Sequence, residues 1–135
     1  MSLDKFNGAE KREFVRFDCV SPLAFKVCKE TTISKLLEGY TANISPAGAL
    51  CRITEKVNIG DILWLALERS ALIMCTEIEK RSLIYQNGVI GKVVRIESRN
   101  GNEFHIGIQF LTREEKNLTN IYSTFHFIEQ GLKDE

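Results

Sequence analysis

Two arginines four positions apart, in Glu10-Lys-Arg12-Glu-Phe-Val-Arg16, stand just ahead of the first β-like stretch of the chain. A guanidinium is permanently charged, presents a planar fork of donors that fits phosphate oxygens or a guanine edge, and can stack its face on a base. Glu10 and Glu13 lie in the same segment, so a solvated, salt-bridged stretch is the competing reading. A second constellation, Asn43-Ile-Ser45-Pro-Ala-Gly48, follows Tyr40-Thr-Ala42 and precedes Ala49-Leu-Cys-Arg-Ile53. Asn43 and Ser45, two apart at a strand end, point the same way and offer an amide and a hydroxyl together. Gly48 permits a positive φ or the close approach of a ligand to the backbone. An ordinary Asn/Ser turn is the alternative. Arg52, Arg95 and Gln109 are further candidates for lining such a site, and strand phase alone does not place them.

The elements that must hold these residues are strands. In Phe104-His-Ile106-Gly-Ile108-Gln-Phe110 the large apolar residues face one way and His105, Gly107 and Gln109 the other, the mark of a half-buried strand. Leu23-Ala-Phe25-Lys-Val27 alternates similarly, as does Leu72-Ile-Met74-Cys-Thr76-Glu-Ile78, while residues 62–67 and 89–96 are denser in apolar side chains and read as central strands. Turn signals punctuate them: Ser45-Pro-Ala-Gly48, Asn58-Ile-Gly60-Asp61, Asn87-Gly88 and Arg99-Asn-Gly101-Asn. Asn87-Gly88 is the strongest short hairpin signal, because both residues tolerate positive φ. Short strands at this spacing, with no crossover helix between them, predict an antiparallel barrel or sandwich rather than a parallel sheet. Near the C-terminus the period changes: Leu118, Ile121, Tyr122, Phe125 and Ile128 form one helical stripe, with a capping box at Thr112-Arg-Glu-Glu115 and Gly131 as C-cap. That helix is expected to pack on the barrel.

The chain is 135 residues long, 44% hydrophobic and 27% charged, which suits one globular domain with its own core and excludes a disordered or fibrous protein. Lys plus Arg and Asp plus Glu each number 18, so no excess charge drives the protein onto bulk DNA or an anionic membrane, although a local anion site needs only a few cations. No apolar run approaches the roughly 18 residues of a spanning helix and the N-terminal stretch lacks the apolar core of a signal peptide. Membrane insertion is therefore not expected, and the cytoplasm is the expected location. The four cysteines, Cys19, Cys28, Cys51 and Cys75, form no C-x-x-C pair and sit in strand-like apolar sequence, so they read as reduced core residues rather than metal ligands.

In order and spacing, the two polar elements resemble the PilZ domain family, a six-stranded antiparallel barrel marked by R-x-x-x-R in its N-terminal segment and [D/N]-x-S-x-x-G at an early strand end. Arg12-Glu-Phe-Val-Arg16 and Asn43-Ile-Ser-Pro-Ala-Gly48 match both. The similarity continues through Asn58-Ile-Gly-Asp61, Gly91-Lys-Val-Val-Arg95-Ile, Ile106-Gly-Ile-Gln-Phe110 and the closing helix. Two departures are visible: Lys11 stands where many members have a second arginine, and Ala47 where many have a second glycine. The resemblance implies a mainly β fold, a single small six-stranded antiparallel β-barrel with a C-terminal α-helix, spanning residues 10–130. Residues 1–9 would then be a flexible segment or leader and 131–135 a tail. It also implies a bacterial, non-enzymatic receptor for the second messenger cyclic di-GMP, with no cofactor and no metal. Arg12 and Arg16 would contact phosphates and guanines, Asn43 and Ser45 would hydrogen-bond guanine, and Gly48 would let the loop sit close to the ligand. Binding would order the segment ahead of the first strand and create a surface for an unidentified regulatory protein acting in motility, exopolysaccharide or biofilm output. A homodimer stays open.

Three alternatives are kept. The first is a degenerate PilZ-like interaction module that does not bind cyclic di-GMP. The second is a β-barrel nucleic-acid binder, disfavoured by the zero net charge. The third is a cysteine-held metal protein or redox sensor.

Overall fold

Alternation along Glu103–Phe110 is realised as the sequence predicts: Ile106, Ile108 and Phe110 are buried, while His105, Gly107 and Gln109 face outward. The protein is seen in a computed structural model that describes residues 16–99 and 101–113. Its strands are β1 (Phe17–Val27), β2 (Leu37–Ser45), β3 (Gly48–Ile53), β4 (Ile62–Leu67), β5 (Ile84–Tyr85), β6 (Gly88–Arg99) and β7 (Glu103–Phe110), with α1 (Arg69–Met74) and α2 (Glu77–Arg81) between β4 and β5. Every pairing is antiparallel in the order β4-β1-β2-β3-β7-β6, and β4 also pairs with β6. The sheet thus closes into a six-stranded barrel without free edges, and the two-residue β5 adds to β6.

Inward-facing residues fill the barrel. Phe25, Ile44, Cys51, Leu63, Leu65 and Val93 have no solvent exposure and belong to one cluster. Truncating Phe25 to alanine would cost about 3–5 kcal/mol at such a site. A second cluster, including Ile62, Leu83, Ile90 and Leu111, lies on the barrel's outer wall with Trp64 and Tyr85 packed against it. The indole N–H of Trp64 donates to the Tyr85 carbonyl at 2.7 Å, and the Lys26 ammonium lies 5.8 Å from the centre of the Trp64 ring. Among the described residues no helix is long and apolar enough to cross a membrane.

Two expectations are corrected. Residues 72–78 form no strand: they fall in α1, α2 and the turn between them. The buried residues there are Ala71, Cys75 and Ile78, four and then three apart, so helical spacing decides the burial and the alternation of Leu72, Met74 and Thr76 is incidental. In the β5–β6 hairpin the positive-φ residues are Gln86 and Asn87, and Gly88 is already in β6, paired with Tyr85. Gly88 is needed for another reason, since a Cβ there would enter the Trp64 indole ring. The predicted C-terminal helix and Gly131 lie outside the described residues.

Candidate functional site

Because β1 runs antiparallel to β2, the start of β1 meets the end of β2: Phe17 pairs with Ile44 and Asp18 with Asn43. Arg16, one residue earlier, is therefore delivered beside Ser45. The chain then turns through Pro46 and Ala47, and Ser45 pairs with Gly48 at the start of β3. The Ser45 hydroxyl accepts the Ala47 N–H at 3.2 Å and lies 3.4 Å from the Gly48 carbonyl, to which it donates. Its polar capacity is largely engaged in holding the turn. The Ala47 carbonyl in turn accepts the Phe110 N–H at 2.8 Å, tying the turn to β7.

Gly48 does not have the positive φ that the sequence allowed for. The close backbone approach is real, but the approaching chain is β7. A Cβ on Gly48 would run into the Ile108 carbonyl oxygen and would also sit 3.2 Å from its carbon and 3.4 Å from the Gln109 Cα.

Arg16, Asn43, Ser45 and Gly48 line one open cavity of about 440 Å³ on the outer face of the barrel. The structure thus joins the two sequence elements as far as Arg16; Arg12 lies outside the described residues. Arg95 and Gln109 complete the far wall, and Leu50 and Gly107 contribute an apolar floor. The register gives the order across four strands: Asn43 is opposite Leu50, Leu50 opposite Gly107, and Gly107 opposite Arg95. Arg52, the other candidate, is not part of the lining. It lies one row away, between Tyr40 and His105, with its Nε buried and unpartnered.

Two of the polar lining residues owe their direction to irregularities in the strands. In β2 the register shifts between Thr41 and Asn43. Thr41 is fully buried, donating to the Cys19 carbonyl at 2.6 Å and lying 3.0 Å from the Ser21 hydroxyl, whereas Asn43 faces the cavity. Strict alternation would have turned both residues inward. In β6 the register shifts between Val93 and Arg95, so Val93 is in the core while Val94 and Arg95 are both exposed. Bulges that redirect a side chain are characteristic of binding sites. No simple count along either strand predicts them, which is why strand phase left Arg95 unplaced.

Cationic forks, an amide pair and an apolar floor suit a ligand with negative charge and flat rings. Among the described residues no group of three or more His, Cys, Asp or Glu side chains is arranged to hold a metal ion. All four cysteines are buried and unpaired. Burial pushes the Cys28 and Cys51 thiols up to about 12 and raises Cys75 as well, so these sulfurs are poor nucleophiles and poor metal ligands as they stand.

A family model for the PilZ domain matches residues 10–123, and the chain belongs to that family. Solved structures share the fold. The Bacillus subtilis inhibitor of motility (MotI/DgrA) superposes with a TM-score of 0.51 at 14% identity, covering 92% of this chain and 53% of that one. YcgR from Escherichia coli in complex with c-di-GMP gives 0.51 at 11% identity, covering 93% and 50%. The PilZ domain of YcgR with c-di-GMP gives 0.50 at 11% identity, covering 93% and 94%. The chain thus spans about half the length of the first two and nearly all of the isolated domain. No curated protein matches the sequence.

Proposed function

We propose that the protein is a receptor for cyclic di-GMP which acts by changing its contact with a partner protein. The observation that carries this reading is the convergence of Arg16, Asn43, Ser45 and Gly48 on one cavity through the antiparallel pairing of β1 with β2. The ligand carries two singly charged phosphodiesters and two guanines. Arg16, with Arg12 four residues before it, forks onto the phosphates and can stack its face on a guanine. Asn43 supplies donor and acceptor to a base, Ser45 holds the turn that frames it, and Gly48 keeps that turn against β7. YcgR, a relative in fold, is seen with the same ligand. Binding is the chemistry assigned here; no catalytic step is. Ligand binding alters the surface offered to the partner, with motility or exopolysaccharide synthesis as the output.

The test is isothermal titration of the intact protein with cyclic di-GMP beside an Arg12→Ala/Arg16→Ala variant of unchanged melting temperature. Each charge-assisted pair removed lowers affinity by about 1.5–3 kcal/mol, or roughly ten- to a hundredfold, so the double variant should bind too weakly to saturate. Absence of both heat and thermal shift in the wild type would replace this reading with that of an interaction module that has lost its ligand.

A further inference from the structure

We infer that Arg95 is the residue that reads the base, selecting guanine through its O6/N7 edge, an assignment that rests on the proposed cyclic di-GMP reading and adds to it a determinant outside both sequence motifs. Four observations lead there. Arg95 lines the same cavity as Asn43 but from the opposite wall, on β6 rather than β2. The residues between them in the row, Leu50 and Gly107, carry no polar side-chain atom. Along the sheet the row from Asn43 to Arg95 covers three strand spacings, roughly 14 Å, which leaves room for a purine lying flat over Leu50 and Gly107 with an edge toward Arg95. A phosphate has no reason to occupy an apolar floor, because its oxygens would lose water there without gaining donors.

Gly107 is what lets Arg95 serve. A Cβ built on Gly107 would lie 3.4 Å from the Arg95 Cβ and 3.8 Å from its Nε, so the arginine side chain already runs alongside the space that glycine leaves empty. A larger residue at 107 would occupy the floor and push the guanidinium off it. The bulge between Val93 and Arg95 completes the device, since it turns outward a side chain that regular alternation would bury. Among the described residues no carboxylate pairs with Arg95, so its donor fork is available. An arginine fork matches the two acceptors of guanine and meets an unfavourable amino group on adenine. Gln109, beside it on the cavity wall, can do no more than supplement that choice.

The experiment is a two-by-two titration of the full chain: wild type and Arg95→Ala, each with cyclic di-GMP and with the analogue in which both guanine N7 atoms are replaced by carbon. Wild type is expected to bind the analogue about fivefold to a hundredfold more weakly, whereas Arg95→Ala binds cyclic di-GMP that much more weakly and does not distinguish the two ligands beyond about twofold. Arg95→Lys keeps the charge without the fork and should behave like the alanine variant. If Arg95→Ala binds cyclic di-GMP as wild type does, or stays as sensitive to N7 as wild type, the inference fails while the receptor reading stands. If folded wild type binds neither ligand, both fail together.

Discussion

Gly48→Ala separates two roles for the glycine that closes the second motif. If Gly48 exists so that a ligand can approach, alanine should leave the free protein's stability alone. The structure says otherwise: the added methyl is aimed at the Ile108 carbonyl oxygen, with that carbonyl carbon at 3.2 Å and the Gln109 Cα at 3.4 Å. All three are β7 backbone atoms, fixed by pairing with β3 on one side and β6 on the other, so no side chain can swing away. Overpacking of this kind costs about 1–3 kcal/mol. Parting β3 from β7 also endangers the 2.8 Å bond from the Phe110 N–H to the Ala47 carbonyl, about 0.5–1.5 kcal/mol, and alanine returns less than about 1 kcal/mol through the unfolded chain. The net loss is centred on about 2.5 kcal/mol, a fall in melting temperature of roughly 5–15 °C for a domain of this size. Urea unfolding and a thermal scan, both without ligand, measure it. Gly101→Ala is the control: Gly101 has φ +71° with nothing within 4 Å of a Cβ, so only backbone strain of about 1 kcal/mol is at stake. A Gly48→Ala protein that melts within a degree or two of wild type yet binds cyclic di-GMP poorly would refute the packing argument and restore ligand approach as the reason for this glycine.

Thr41→Val should destabilise the protein by about 1–3 kcal/mol in urea, because the lost hydroxyl leaves the buried Ser21 hydroxyl, 3.0 Å away, and the Cys19 carbonyl, 2.6 Å away, short of a partner; a change within error would mean the cluster contributes nothing. The Cys28 and Cys51 thiols, raised from 9.0 to about 12 by burial, hold their protons more tightly folded than unfolded. Their contribution is complete below pH 9 and drains away as pH rises from about 9 toward 12. The urea midpoint should therefore decline through that interval, less steeply in Cys51→Ala, and a thiol reagent at about pH 8 should label neither residue until the protein unfolds.

How legible this was depended on the element. Alternation in Phe104-His-Ile106-Gly-Ile108-Gln-Phe110 is unbroken, so the faces of β7 could be read directly and the barrel followed from the turns between such strands. Leu72-Ile-Met74-Cys-Thr76-Glu-Ile78 has the same length but alternates imperfectly, with Ile73 and Cys75 apolar on the other face, so its period does not decide between strand and helix. The spacing of Ala71, Cys75 and Ile78 settles the matter only once it is known which residues are buried. Asn87-Gly88 correctly announced a hairpin and misplaced its centre by one residue, because Trp64, far away in sequence, claims the space over Gly88. The site divides the same way. Arg16 and Asn43-Ile-Ser45 belong to local patterns that antiparallel pairing then brings together. Arg95 belongs to none.

That division has a physical origin in the two register shifts. A strand without a bulge commits every second side chain to one face, and in β6 the commitment of Val89, Gly91 and Val93 to the interior would carry Arg95 in with them. A buried, unpaired guanidinium is prohibitive in such a core, so the sequence Val93-Val94-Arg95-Ile96 is viable in this barrel only with the extra residue that sends Val94 and Arg95 out together and returns Ile96 to pack, half-buried, against the core. The same logic holds in β2, where Thr41 can stay inside because Cys19 and Ser21 satisfy its hydroxyl, while Asn43, which would need more partners than the interior offers, is turned out. Each bulge gives up ladder regularity within its strand and places a polar group on the cavity wall. Deleting Val94 should accordingly remove the bulge without moving Arg95: Val93 and Ile96 are then two apart on the inner face and Arg95 stays opposite Gly107, so the barrel should still fold, and Val94→Ala, which keeps the residue count, should leave stability within about 0.5 kcal/mol of wild type. A deletion variant that cannot fold would refute this account, in which Val94 is the residue that regular pairing has no place for.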